Sequence, residues 1–160
     1  MAKKTNAVRE LERAGVTLEL REYEVDEDDL SAPAVAHKVG LPVEQVFKTL
    51  VARAEEPPRQ VMMACIPGAA ELDLKKLAAA AGAKKVDLVP LKDLLGLTGY
   101  VRGGCSPVGA KKPYPVYLDQ SALDHARISV SAGQRGLQMF LAPADLARVT
   151  GAKLAKLVRE

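Results

Sequence analysis

Apolar positions along the chain keep two rhythms, one of helices and one of strands, and the switches between them outline the fold. From Thr5 to Ala14, Val8, Leu11 and Ala14 recur at helical spacing, which predicts an amphipathic helix capped by Thr5 and ended at Gly15. Over residues 16–25, Leu18 and Leu20 alternate with charged residues before the pattern slips at Tyr23 and Val25, as in a bulged strand that turns Tyr23 inward. A short helix is predicted over 34–39, closed by Gly40, with Pro42 opening a further turn through Gln45. Strands at 47–53 and 60–66 form a hairpin across Glu55-Glu56-Pro57-Pro58. Asp73 caps a helix ended by Gly82, 85–89 is a strand, and 90–95 makes a helical turn. Residues 115–118 read as a strand, and 127–131 and 137–141 as a hairpin joined by a glycine-bearing turn. Pro143 opens a helix, and Thr150 is read as the cap of a last one reaching Val158. This irregular alternation predicts an α+β fold, a single domain over residues 1–160 with helices around a curved, mixed, barrel-like sheet.

Composition narrows the function classes. With 160 residues, 48% of them hydrophobic and 27% charged, the chain can bury a sizeable core and is neither a disordered nor a membrane protein. No apolar run reaches the roughly 18 residues of a spanning helix. The first residues lack a secretion signal, so a cytoplasmic location is expected. Cys65 and Cys105 have no CxxC partner or nearby histidine cluster, which predicts reduced thiols, no metal and no cofactor. His37 and His125 are the only histidines, sit in ordinary helix and turn contexts, and receive no role. A net charge of +3 is too small for a nonspecific nucleic-acid coat, and 4% aromatics without Trp argue against a stacking platform. Neither DNA nor a membrane is an expected partner.

Three places could carry chemistry. In Phe47-Lys48-Thr49-Leu50-Val51, alternation sets Lys48 on the face of Leu50 and Ala52 and sets Phe47 and Val51 on the other. Lys48 is then either a desolvated cation facing a pocket or a strand-end lysine snorkelling over apolar neighbours. The loop 99–109 matches no phosphate-binding fingerprint, yet its glycines allow backbone amides to converge on an anion or carbonyl oxygen, or simply make turns. Cys105 and Ser106 lie inside it without a histidine or paired carboxylate to serve as base, so neither reads as a nucleophile. Ser131 opens the last hairpin and serves either a ligand or the turn itself. Lys75, Lys76, Lys84, Lys85, Arg102, Lys111, Lys112 and Arg135 form either a phosphate-binding rim or ordinary solvated faces.

These segments carry a resemblance that spans nearly the whole chain. Tyr23-Glu24, Gln45-Val46-Phe47-Lys48-Thr49-Leu50, Glu71-Leu72-Asp73-Leu74-Lys75-Lys76, Gly82-Ala83-Lys84-Lys85-Val86, Thr98-Gly99-Tyr100, the run from Gly103 to Gly109 and the run from Ser131 to Leu137 are similar to the YbaK/EbsC family. That family is related to the editing domain inserted in bacterial prolyl-tRNA synthetases. The resemblance implies a trans-editing deacylase that removes cysteine from Cys-tRNA(Pro), with Cys-tRNA(Cys) also accepted, acting on the aminoacylated tRNA 3′ end in partnership with prolyl-tRNA synthetase. It also implies that the substrate's own thiol attacks its carbonyl and releases a thiolactone, which needs no protein base. Carried over by position, Lys48 matches the functional lysine and Gly103 to Pro107 the GxxxP loop. Lys48, Gly103 and Gly104 are thus expected as catalytic residues, and Tyr23, Cys105, Ser106, Pro107, Ser131 and Gly133 as substrate-binding ones. One position departs: where the family tends to carry an acidic residue after the Gly-Leu of the last hairpin, this chain has Gln138. A noncatalytic tRNA-end or synthetase-binding module, and an editing enzyme for another amino acid such as alanine, are the alternative readings.

Overall fold

The computed structural model describes residues 4–160. Helix α1 (Asn6–Arg13) is capped by Thr5, whose hydroxyl accepts from the Val8 N–H. It buries Ala7, Val8 and Leu11; Ala14, expected on that face, is the exposed C-cap. Strand β1 (Glu19–Glu22) pairs antiparallel with β7 (Leu137–Leu141), which pairs antiparallel with β6 (Ile128–Ser131). Helix α2 (Ala32–Val39) starts two residues earlier than expected because the Ser31 hydroxyl caps it, and Gly40 ends it in the left-handed conformation at φ 74°. A 3₁₀ turn at Val43–Gln45 follows.

Strands β2 (Phe47–Ala54) and β3 (Val61–Pro67) form the expected hairpin, with Lys48 opposite Ile66 and Thr49 opposite Cys65. Helix α3 (Leu74–Ala81) carries Asp73 as its cap. Strand β4 (Val86–Leu88) and helix α4 (Leu91–Thr98) come next, then β5 (Val116–Asp119), α5 (Pro143–Thr150) and β8 (Lys153–Ala155). The second sheet runs β4-β2-β3-β5-β8, with β3, β5 and β8 mutually parallel. An isolated bridge between Val46 and Ser129 joins the two sheets. The expected curved, barrel-like arrangement is an open one, in which two sheets meet at one corner.

The chain end corrects the sequence reading. Thr150 closes α5 rather than capping a further helix, because Gly151 takes φ 70° and turns the chain back as β8. The buried carboxylate of Asp119 fixes this return: its Oδ1 accepts from the Leu157 N–H at 2.8 Å and its Oδ2 from the Ser121 hydroxyl at 2.6 Å.

Strand β3 is buried on both faces, which explains its nearly continuous apolar run. Met63 and Cys65 join Phe47, Val51, α1 and the inner face of the three-stranded sheet in the main core. Met62, Ala64 and Ile66 join Ala52, Leu77 and Leu157 in a second core under α3. On the three-stranded sheet, Ile128, Val130, Leu137, Met139 and Leu141 face the main core. Period-two alternation sends Ser129, Ser131, Gln138 and Phe140 to the other face, where they are nonetheless buried. Helix α2 closes over that face: the Arg21 guanidinium donates to the Val39 carbonyl and stacks over the Phe140 ring.

Candidate active site

Strand β4 pairs with β2 only at Ala52, Arg53 and Ala54. The neighbouring stretch of that edge, Phe47 to Val51, instead borders a cavity of about 530 Å³, within the usual size range of ligand sites. The start of α2 forms one wall, the β4–α4 segment with Leu88, Leu91 and Leu94 another, and Arg102, Gly103, Cys105, Ser131 and Gln138 the third. Of the lining residues, Lys48 and Arg102 are cationic and none is an aspartate or glutamate.

The Lys48 side chain is half-buried and, among the described residues, its ammonium makes neither a hydrogen bond nor an ion pair. It lies on the face of Leu50 and Ala52, as alternation predicted. Burial pulls its ammonium below the ordinary lysine value, while the nearby Glu71 carboxylate pulls the other way. A cation held this way gains when an anionic group or a carbonyl oxygen arrives.

The loop wall is fixed from behind by Tyr100. Its buried hydroxyl donates to the Val108 carbonyl at 2.5 Å, and burial pushes its pKa up to about 12. A side chain at Gly109 would put a Cβ 2.9 Å from the Tyr100 oxygen and from the Ala7 nitrogen, and one at Gly133 would lie 3.0 Å from the Tyr100 ring. Gly103 takes φ 84° and turns the chain at the cavity. Gly104 is buried against the backbone of Gln134 and Arg135, about 3.1 Å from a hypothetical Cβ. The Arg135 guanidinium ties hairpin to loop by donating to the Arg102 carbonyl at 2.7 Å.

The expected site residues thus divide into two groups. Lys48, Gly103, Cys105 and Ser131 share the cavity wall, and Gln138, singled out in the sequence only as a departure, joins them. Tyr23, Gly104, Ser106, Pro107 and Gly133 do not line it. Tyr23 packs against the cluster of Val35, Ala36, Val39 and Val46 beneath α2. The Gly104 N–H donates to the Val101 carbonyl at 2.9 Å, so it is engaged in a turn. The buried Ser106 hydroxyl accepts from the Val108 N–H, and Pro107 borders a separate groove beside Glu10 and Tyr114. Gly133 donates its N–H to the Ser131 oxygen at 3.2 Å and lies behind the wall. Tyr23 thus supports α2, and the other four shape the loop and hairpin rather than face the cavity.

Cys105 is buried and its thiol is pushed up to about 12, by desolvation first and by Cys65 second. It stays protonated near neutrality and is no nucleophile. The basic residues do not form one rim. Lys75, Lys84 and Lys85 border a different groove, where Lys84 pairs with Glu56 and Lys85 with Glu55. Lys76 and Lys111 donate to backbone carbonyls. His37 and His125 lie away from the cavity. Among the described residues no cluster of His, Cys, Asp or Glu could hold a metal ion, and no helix is long and apolar enough to cross a membrane. Sequence reasoning passed over the supporting role of Tyr100 and the close packing of Gly68, where a Cβ would stand 2.5 Å from that of Ala32. Tyr100 stood inside a recognised motif without a role read for it, and Gly68 was a lone glycine outside the motifs.

An open, cationic cavity with backbone amides and hydroxyls but no general base suits an already activated ester better than a stable amide. Residues 26–149 match the family of the aminoacyl-tRNA editing domain, and the chain belongs to that family. It is 46% identical, over 96% of its length and 93% of the relative's, to EbsC of Enterococcus faecalis, a protein named as a Cys-tRNA(Pro)/Cys-tRNA(Cys) deacylase. It also resembles a crystal structure described as a trans-editing enzyme for prolyl-tRNA synthetase, at 26% identity and TM-score 0.80 over 96% of this chain and 93% of that one. The crystal structure of hypothetical protein APE2540 shares the fold, with TM-score 0.87 at 22% identity over 97% of this chain and 100% of that one.

Proposed function

We propose that the protein is a trans-editing deacylase that clears cysteine from Cys-tRNA(Pro). The observation that carries this reading is the meeting of Lys48 with the Gly103–Cys105 turn in one cavity that holds no carboxylate or histidine. Such a site can orient an ester and stabilise charge on its carbonyl oxygen, but it cannot extract a proton. A substrate that supplies its own nucleophile fits it. The cysteine sulfur attacks its own carbonyl carbon, the S–C bond forms as the ester C–O bond breaks, and a four-membered thiolactone leaves. The thiol proton goes to solvent and the departing ribose oxygen takes one up.

In this reading Lys48 draws in the terminal phosphate or the ester, while the N–H groups of Gly103 and Cys105 receive the developing oxyanion. Gly104 supports the turn and takes no part as a donor. The similarity to EbsC and to the trans-editing structure supports the substrate class. Prolyl-tRNA synthetase is the partner this reading implies, because it produces the mischarged tRNA, and the cytoplasm is the compartment where charging occurs.

Deacylation of Cys-tRNA(Pro) and Ala-tRNA(Pro) side by side tests the proposal. Rapid loss of cysteine with early thiolactone, and survival of alanine, is the expected result. Equal loss of both rules out attack by the substrate thiol, and loss of neither leaves a binding module.

A further inference from the structure

On the face beneath α2, the register sets Gln138 of β7 directly opposite Ser131 of β6 and Arg21 of β1. Gln138 is 5% exposed and Ser131 7%, and both reach the cavity. The Gln138 Oε1 accepts from the buried Ser129 hydroxyl at 2.8 Å. Among the described residues its Nε2 has no partner and is not sealed off, on a side chain that lines the cavity. The Ser131 oxygen accepts from the Gly133 N–H, which leaves its own O–H free to donate. A nine-tenths-buried amide with unused donors, beside a free hydroxyl, is built for an acceptor that arrives with the ligand.

The charges around it decide what that acceptor is. Lys48 and Arg102 line the cavity, and Arg21 stands across the strand from Gln138 with its guanidinium turned to Val39 and Glu19. The carboxylates nearby, Glu19 and Glu71, stand outside the lining: Glu19 is held by Arg21, and Glu71 acts on Lys48. The Cys105 thiol is neutral. An ammonium entering here meets cations and N–H donors and finds no carboxylate, whereas a neutral amine offers a lone pair to Gln138 and its own hydrogens to the Ser131 oxygen.

Building on the function proposed above, we infer that the Ser131–Gln138 pair is the subsite for the α-amino group of the aminoacyl ester and takes that group uncharged. Specificity at this subsite then comes from the protonation state of the substrate. An α-amino group titrates at about 7.7–8.0 in model compounds, so the binding form is a minority at pH 6 and a majority at pH 8.5.

The probe is 3′-cysteinylamino-3′-deoxyadenosine, a stable amide analogue, with its N-acetyl derivative as control, titrated calorimetrically at pH 6 and 8.5. Wild type is expected to bind the free-amine analogue at least roughly tenfold more tightly at pH 8.5. The N-acetyl derivative, whose nitrogen does not titrate, should change less than about twofold, which separates the amine from Lys48. Gln138→Glu is expected to reverse the preference toward pH 6, and Gln138→Met to flatten it. Equal or tighter wild-type binding at pH 6 overturns the inference whether or not the variants fold. Deacylation of Cys-tRNA(Pro) is followed in parallel: cleavage with no pH preference in analogue binding sinks the inference alone, and absence of cleavage sinks the functional reading beneath it.

Discussion

The two walls that meet at the cavity are built on opposite principles. The loop wall is over-determined: Tyr100, Gly109, Gly133, Arg135 and the 101–104 turn fix it by hydrogen bonds and by contacts too close for any side chain. The lysine wall is a strand edge with one cation that, among the described residues, nothing holds. Donors that receive developing charge work best when they need no reorganisation, whereas a cation that draws in the ester or phosphate of a large ligand benefits from reach. One wall supplies geometry and the other supplies charge.

Breaking the charge should have the largest effect on activity. Lys48→Ala is expected to lower kcat/KM for Cys-tRNA(Pro) by about 10²–10³-fold, the range seen when one electrostatic partner of a transition state is removed. Thermal unfolding should barely change, since the ammonium has no partner in the free protein. A variant with full activity separates Lys48 from the reaction.

Breaking the geometry should show in stability as well as rate. Gly109→Ala imposes a side chain at φ 77° with a Cβ 2.9 Å from backbone. It is expected to cost about 1–3 kcal/mol in urea unfolding. Tyr100→Phe is milder. It removes the hydrogen bond to the Val108 carbonyl, at a cost of about 0.5–1.5 kcal/mol, and loosens the loop with a several-fold loss in kcat.

The smallest effect sharpens the electrostatics. Because burial disfavours the charged form, Lys48 should lose its proton at a lower pH than an ordinary lysine, as followed by NMR of its side-chain carbons. Glu71 opposes that shift, so Glu71→Gln should lower the midpoint further. The same sign applies to stability. A lysine whose folded pKa lies below its unfolded one destabilises the fold while it is charged, and that penalty fades as pH rises through the folded pKa toward the unfolded value. An unshifted midpoint contradicts the half-buried setting of the cation.

Most of the fold was legible because its signals are local. Thr5 and Asp73 cap helices, Gly40 and Gly82 end them, and the 47–53 and 60–66 runs pair across their turn. Strand β8 was not legible, since its short Lys-Leu-Ala alternation gains meaning only from a parallel partner distant in sequence. The site divides along the same line. Lys48 and Gly103 stand out by residue type, but whether an amide in a glycine loop is free or bonded depends on dihedral angles that composition leaves open; Gly104 is bonded. Tyr23 has the size and polarity of a pocket residue, yet β1 ends at Glu22 and delivers it beneath α2. Gln138 drew notice only as the amino acid that replaced another, and its setting beside Ser129 and Ser131 required the strand register.

The most direct measurement is amide and side-chain NMR of the protein titrated with 3′-cysteinylamino-3′-deoxyadenosine. Concerted shifts of the Gly103 and Cys105 amides with the Lys48 side chain, leaving Gly104 little changed, are expected. Shifts confined to the groove of Lys84 and Lys85, with Gly103, Cys105 and Lys48 unmoved, would contradict the account.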